Sequence, residues 1–127
     1  MKWKIQNTKD IILNEKNVVY AILEDYCNSV YTDLDGFSAR IDKNIEQDVL
    51  IYSFIISTSI EYKLFDVHFF SKSLNIFTVK LILYARLPIN NKSFYCNDIN
   101  NFKQTLDELI AGAEVNEILI YLQEKLG

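Results

Sequence analysis

Residues 49–57 read Val-Leu-Ile-Tyr-Ser-Phe-Ile-Ile-Ser. The run is apolar at odd and even positions alike and rich in β-branched and aromatic residues, as in a strand covered on both faces, and it is expected at the centre of a sheet. Downstream, Ile60, Tyr62 and Leu64 alternate with polar residues, and then the phase moves by one to Phe65, Val67 and Phe69. Such a shift inside one strand marks a β-bulge or bend. Residues 76–87 alternate again, with Phe77, Val79, Leu81 and Leu83 on one side, and Pro88 stops the run. Upstream, Phe37, Ala39 and Ile41 give a half-buried strand over 37–42, entered through the turn at Asp35-Gly36. The links near 43–48, 57–60 and 71–75 are short, which favours an antiparallel meander over crossover pairing.

Helical spacing brackets these four strands. Val19, Ile22, Leu23, Tyr26, Cys27 and Val30 form one stripe, predicting a helix near 15–30 with Asn14 as its N-cap. The segment 88–97 reads as a polar loop, after which Asn97 or Asp98 can cap a helix over about 98–111 carrying Ile99, Phe102, Leu106, Leu109 and Ile110. Gly112 interrupts that stripe, and Val115, Ile118, Leu119, Leu122 and Leu126 resume it in another phase, so a second helix is expected over 114–126. A short first strand at Trp3 to Ile5 is a further expectation. The order α-β-β-β-β-α-α predicts a single α+β domain over 1–127, its helices packed on one face of a four-stranded antiparallel meander.

Composition sets the class. A chain of 127 residues, 50% hydrophobic, with three glycines and one proline, can bury about two thirds of its extended-chain surface. That excludes disordered, collagen-like and disulfide-framework proteins. Cys27 and Cys96 read as reduced thiols. The start, Met-Lys-Trp-Lys-Ile-Gln-Asn-Thr-Lys-Asp, has no apolar stretch of signal-peptide length, and no membrane-spanning run follows, so a cytoplasmic location is expected. The net charge of −4 is unevenly spread: residues 1–48 carry −3, residues 49–92 carry +3 and residues 93–127 carry −4. Usage rich in Asn, Lys and Ile fits an AT-rich bacterial or phage coding sequence.

Few constellations carry chemistry. Phosphate-binding glycine loops and Cys-x-x-Cys pairs are absent from the sequence, and no cofactor is expected. His68 is the one histidine; on a strand it shares a face with Asp66, which would let a carboxylate orient the ring, although a solvated polar face accounts for both residues. Cys27 falls on the apolar stripe of its helix, where a thiol acts as a small hydrophobe rather than as a nucleophile for His68. Tyr31-Thr32-Asp33-Leu34-Asp35-Gly36 matches part of a calcium loop, but Tyr31 replaces the first carboxylate and Asp42 stands where a bidentate Glu is needed, so no metal site is expected. Lys63, Lys72, Lys80 and Arg86 interleave with Tyr62 and Tyr84 as nucleic-acid binders do; the net acidity argues against that partner.

The remaining concentration is acidic. Asp33, Asp35, Asp42, Glu46 and Asp48 fall within sixteen residues and would form a docking patch for a basic protein if turns brought them to one end of the sheet. In size, acidity and helix-plus-meander organisation the whole chain resembles the small immunity proteins that neutralise polymorphic or contact-dependent bacterial toxins. The resemblance implies a non-enzymatic inhibitor of a cognate toxin domain, such as a nuclease, with the five acids at the interface. Two other readings stay open: an acidic dimer resembling type III secretion chaperones, and a small-molecule-binding domain in which Tyr52, Tyr62 and Tyr84 supply polar tips to a pocket.

Overall fold

The computed structural model describes residues 8–70 and 78–125, with side chains from residue 16 onward. Three helices and a five-stranded antiparallel sheet follow the order α1 (Thr8–Asp33), β1 (Ser38–Glu46), β2 (Val49–Ser57), β3 (Glu61–Phe70), β4 (Val79–Leu83), β5 (Lys92–Cys96), α2 (Ile99–Ile110) and α3 (Ala113–Glu124). The strands lie in sequence order. The α+β meander with one helix before and two after is therefore as expected, and the strand count is corrected from four to five. The expected strand at Trp3 to Ile5 lies outside the described residues.

Helix α1 is longer than its stripe predicted. It is already running at Thr8, so Asn14 is an interior residue and not the cap. Ile12, seven residues before Val19, keeps the helical period, and one interior asparagine costs only a few tenths of a kcal/mol. Val19, Leu23 and Cys27 are buried at i, i+4 and i+8. The chain leaves the helix through Leu34 N–H on the Val30 carbonyl, 3.0 Å, and turns at Gly36, whose φ of 80° is open to glycine at no steric cost.

Strand β1 runs to Glu46, four residues beyond the expected end, and closes on Val49 through Gln47 and Asp48. Both turn residues have positive φ (49° and 65°), the type I′ geometry whose twist matches the flanking strands. From Asp42 to Glu46 every residue is exposed, so neither face of this stretch carries the alternation by which a strand is recognised. The two-residue turn makes Glu46 and Val49 a hydrogen-bonded pair, which directs the Ile45 N–H away from β2. The Asn44 side-chain oxygen accepts that N–H at 2.9 Å, and the Asn44 amide donates to Glu46 Oε1 at 3.1 Å.

The expected bulge is present. Phe54 faces Phe65 while Ile55 faces Lys63, leaving Leu64 as the extra residue, and the Leu64 carbonyl accepts Tyr84 N–H at 3.0 Å. Strand β4 ends at Leu83, earlier than predicted, and Pro88 opens a short 3-10 turn over Pro88–Asn90. Here Asn91 Oδ1 accepts Ala85 N–H at 2.8 Å and reverses the chain into β5, inside the segment expected to be a loop. This strand pairs Cys96 with Val79 and Phe94 with Leu81. Its five residues carry only those two inward side chains, too short a period to stand out.

One face of the sheet, through Ala39, Leu50, Tyr52, Phe54, Ile56, Phe65, Val67, Phe69, Val79, Leu81, Leu83 and Cys96, joins the buried stripes of all three helices in one core. Helix α2 is capped by Asp98, which accepts Asn101 N–H at 2.7 Å. Helix α3 is tied to the β2–β3 turn by Thr58 Oγ1 on the Leu122 carbonyl, 2.9 Å, and by Ser59 on the Lys125 carbonyl. Among the described residues, the buried helix stripes all join the core on this one face of the sheet.

Candidate functional site

The five acids do not converge. Asp33 and Asp35 stand at the α1–β1 turn, Glu46 and Asp48 at the β1–β2 turn, and the nine residues of β1 separate the two by about 27 Å. Asp42, between them, is held by Arg40 Nε at 3.1 Å, and the same guanidinium spans to Glu61 Oε1 at 2.6 Å. That arrangement holds the Glu61 carboxyl below its ordinary range through the hydrogen bond and charge of Arg40. The single patch expected from sequence is thus two acidic ends joined by a charge-paired strand, because the short turn at Gln47 and Asp48 sends β2 back along β1 instead of gathering the acids.

Across the sheet face away from the main core, the register places Asp42, Ser53, Asp66, Ile82 and Ser93 in one row. Asp66 is 4% exposed although it lies on the face away from the main core. Its Oδ1 accepts Ser53 Oγ–H and its Oδ2 accepts Tyr84 O–H, each at 2.6 Å, with Lys63 Nζ at 3.5 Å and His68 Nε2 at 3.8 Å. Lys63 also lies 4.7 Å over the Tyr84 ring. Burial of the phenol, then its hydrogen bond to Asp66 and that carboxylate's charge, push Tyr84 well above its ordinary pKa of 10.0. The sequence paired Asp66 with His68 on a solvated face. In the structure the carboxylate is buried, its close partners are hydroxyls from β2 and from the segment after β4, and His68 Nε2 is shielded from solvent with no hydrogen-bond partner among the described residues. The cluster ties three neighbouring segments together.

A raised phenol pKa makes stability depend on alkaline pH. Tyr84 keeps its proton more firmly when folded, so its contribution is complete below the unfolded value near 10 and is lost as pH rises towards the folded value. Tyr52 and Tyr62 are pushed up as well, chiefly by burial. Urea unfolding at pH 8, 9, 10 and 10.5 is expected to show stability falling above about pH 9.5, and Tyr84→Phe is expected to flatten that fall.

The tyrosine tips do not meet in a pocket. Tyr52 packs in the core against Tyr20 and Phe69, with ring centroids 5.4 and 6.0 Å away, while Tyr62 O–H donates to the Tyr84 carbonyl at 2.6 Å. Cys27 and Cys96 are buried free thiols, and burial pushes Cys27 up to about 11. Beside the hairpin, Glu46, Gln47, Val49, Ile51 and His68 line an open groove of about 580 Å³. Among the described residues no three His, Cys, Asp or Glu side chains stand where they could hold a metal ion, and no helix is long and apolar enough to cross a membrane.

The surface the sequence did not reveal lies at the other side of the molecule. Leu87 (62% exposed), Ile89 (89%) and Ile120 (48%) are large apolar side chains left in solvent, and Leu87 and Ile120 face each other across a groove of about 500 Å³ with Arg86, Glu117, Tyr121 and Glu124. The Arg86 guanidinium lies 3.7 Å over the Tyr121 ring. Two signals were available: Leu87 is an apolar residue at the end of the predicted strand, next to Pro88, and Ile120 lies off the α3 stripe. Comparison with protein-family models, curated proteins and solved structures finds no match to this chain.

Proposed function

We propose that this chain is a non-enzymatic, cytoplasmic protein-binding inhibitor, an immunity protein that occludes a cognate toxin domain. The observation that carries the reading is that Leu87 and Ile120, both left in solvent, line one groove. A globular protein leaves such side chains clustered where a partner covers them. The acids of the two turns, Asp33 and Asp35 at one end and Glu46 and Asp48 at the other, supply longer-range attraction to a basic partner, a contribution that acts on association rate. Asp42, already paired with Arg40, lies between them.

The test uses the intact chain as bait in a bacterial lysate, followed by surface-plasmon kinetics on the purified retained protein. A stoichiometric complex is expected, with dissociation at least 100-fold faster for Leu87→Asp combined with Ile120→Asp. Reversing Asp33, Asp35, Glu46 and Asp48 to Lys is expected to slow association about tenfold while leaving dissociation nearly unchanged. Both apolar positions are exposed, so thermal unfolding should show the double variant folded. A complex indifferent to both sets of changes, or no retained protein at all, sinks the reading.

A further inference from the structure

Helix α3 turns a second stripe outward. Glu117, Ile120, Tyr121 and Glu124 stand at i, i+3, i+4 and i+7, and all four line the groove that Leu87 closes from the other side. The charges along this stripe are unequally satisfied. Glu114, one turn earlier, is paired with Lys92 at 2.5 Å, whereas no cation pairs with Glu117 or Glu124 among the described residues. Arg86 lies over Tyr121, and Lys125 Nζ is 5.3 Å from the same ring, so positive charge sits against the aromatic wall in the middle of the stripe. The groove thus offers an apolar centre, at Ile120 and Leu87, with a free carboxylate towards each end.

The spacing selects the backbone that fits. Seven residues of α-helix separate Glu117 from Glu124 by about 10.5 Å along the axis. An extended segment repeats one face every ~6.6 or ~13 Å, and residues ~10 Å apart on a strand point to opposite sides, so it cannot meet both carboxylates and the apolar centre together. A helix meets all of them with cations at i and i+7 and apolar side chains at i+3 and i+4. Resting on the protein-binding reading above, we infer that this groove receives an amphipathic helix of the partner carrying Lys or Arg at i and i+7 around two large apolar residues. Arg86 disfavours a cation in the middle of that helix, which restricts its basic residues to the two ends.

The experiment uses a 15-residue helical peptide on an Ala/Gln background with Lys at positions 4 and 11 and Leu at 7 and 8. A control of the same composition has the four residues rearranged to alternate. Fluorescence anisotropy on the full chain is expected to show the helical peptide binding at least tenfold tighter than the control. Glu117→Lys with Glu124→Lys should weaken it at least tenfold, and a peptide with Glu at positions 4 and 11 should restore binding to that variant. Equal binding of helical and control peptides, or an affinity unmoved by the charge reversal, overturns the helix assignment. The two failures are distinguishable: if the captured complex is broken by the Leu87 and Ile120 substitutions while the peptides show no preference, protein binding stands and the helix falls. If the captured complex ignores both those substitutions and the reversal of the turn acids, or nothing is retained, the protein-binding reading itself falls.

Discussion

Phe65→Ala is expected to lower the unfolding free energy by about 3–5 kcal/mol, the cost of emptying a filled aromatic site. Phe65 is fully buried and stacks on Phe54 with centroids 4.8 Å apart and ring planes 12° from parallel. It is also the residue at which the bulge resets the register, facing Phe54 on β2 and Leu83 on β4. Alanine therefore removes contacts to both neighbouring strands where Leu64 already interrupts the ladder, and the surroundings have little freedom to collapse into the space. Total stability for a domain of this size is about 5–15 kcal/mol, so the variant would lie close to unfolding at room temperature. Urea titration followed by far-UV circular dichroism reads the effect as a large fall in midpoint at unchanged slope. A loss below about 1 kcal/mol would mean that the Phe54–Phe65 stack is not part of the cooperative core.

Asp66→Ala is expected to cost about 2–4 kcal/mol, because it leaves the hydroxyls of Ser53 and Tyr84 without their acceptor in a water-poor site. Asp66→Asn keeps one acceptor oxygen and should cost about 1 kcal/mol, through one hydroxyl that must turn to accept from the amide. The contrast separates hydrogen bonding from charge. If the network is cooperative, the double variant Asp66→Ala with Tyr84→Phe should be less destabilised than the sum of its parts, with a coupling of about 0.5–3 kcal/mol. Additive losses for Asp66→Ala and Tyr84→Phe would show that the two sites act independently.

Elements whose burial alternates along their own sequence were legible from the sequence; elements defined by their neighbours were not. Residues 49–57 are flanked on both sides, and their continuous apolar run states as much. The shift from Leu64 to Phe65 announced the bulge because an inserted residue must invert the phase of everything after it. Residues 42–46 gave no such signal, since a strand with solvent on both faces has nothing to alternate. Strand β5 holds two inward residues and was hidden for the related reason that its partner was already complete as a strand.

The site was harder for a physical reason of the same kind. Asp66 and His68 could be placed on one face by counting in twos, but burial of Asp66 depends on Ser53, thirteen residues back, and Tyr84, eighteen residues on. The five acids were visible as a cluster in sequence and are two clusters in space, because a tight hairpin converts nearness along the chain into distance along a strand. Leu87 and Ile120 were readable as residues out of place, yet nothing in the sequence brings the segment after β4 against α3.

Asn44 has a bearing on how this molecule behaves in a crowd. An edge strand with solvent on both faces is a template on which further strands can grow, and its outward N–H groups are the points of attachment. On β1 one such group, at Ile45, already meets an oxygen of its own hairpin, with the amide that supplies it anchored in turn on Glu46. An incoming strand would have to displace that oxygen before gaining the same bond, and would meet Lys43 beside it. The hairpin can therefore stand exposed on both faces while its backbone resists recruitment into a growing sheet.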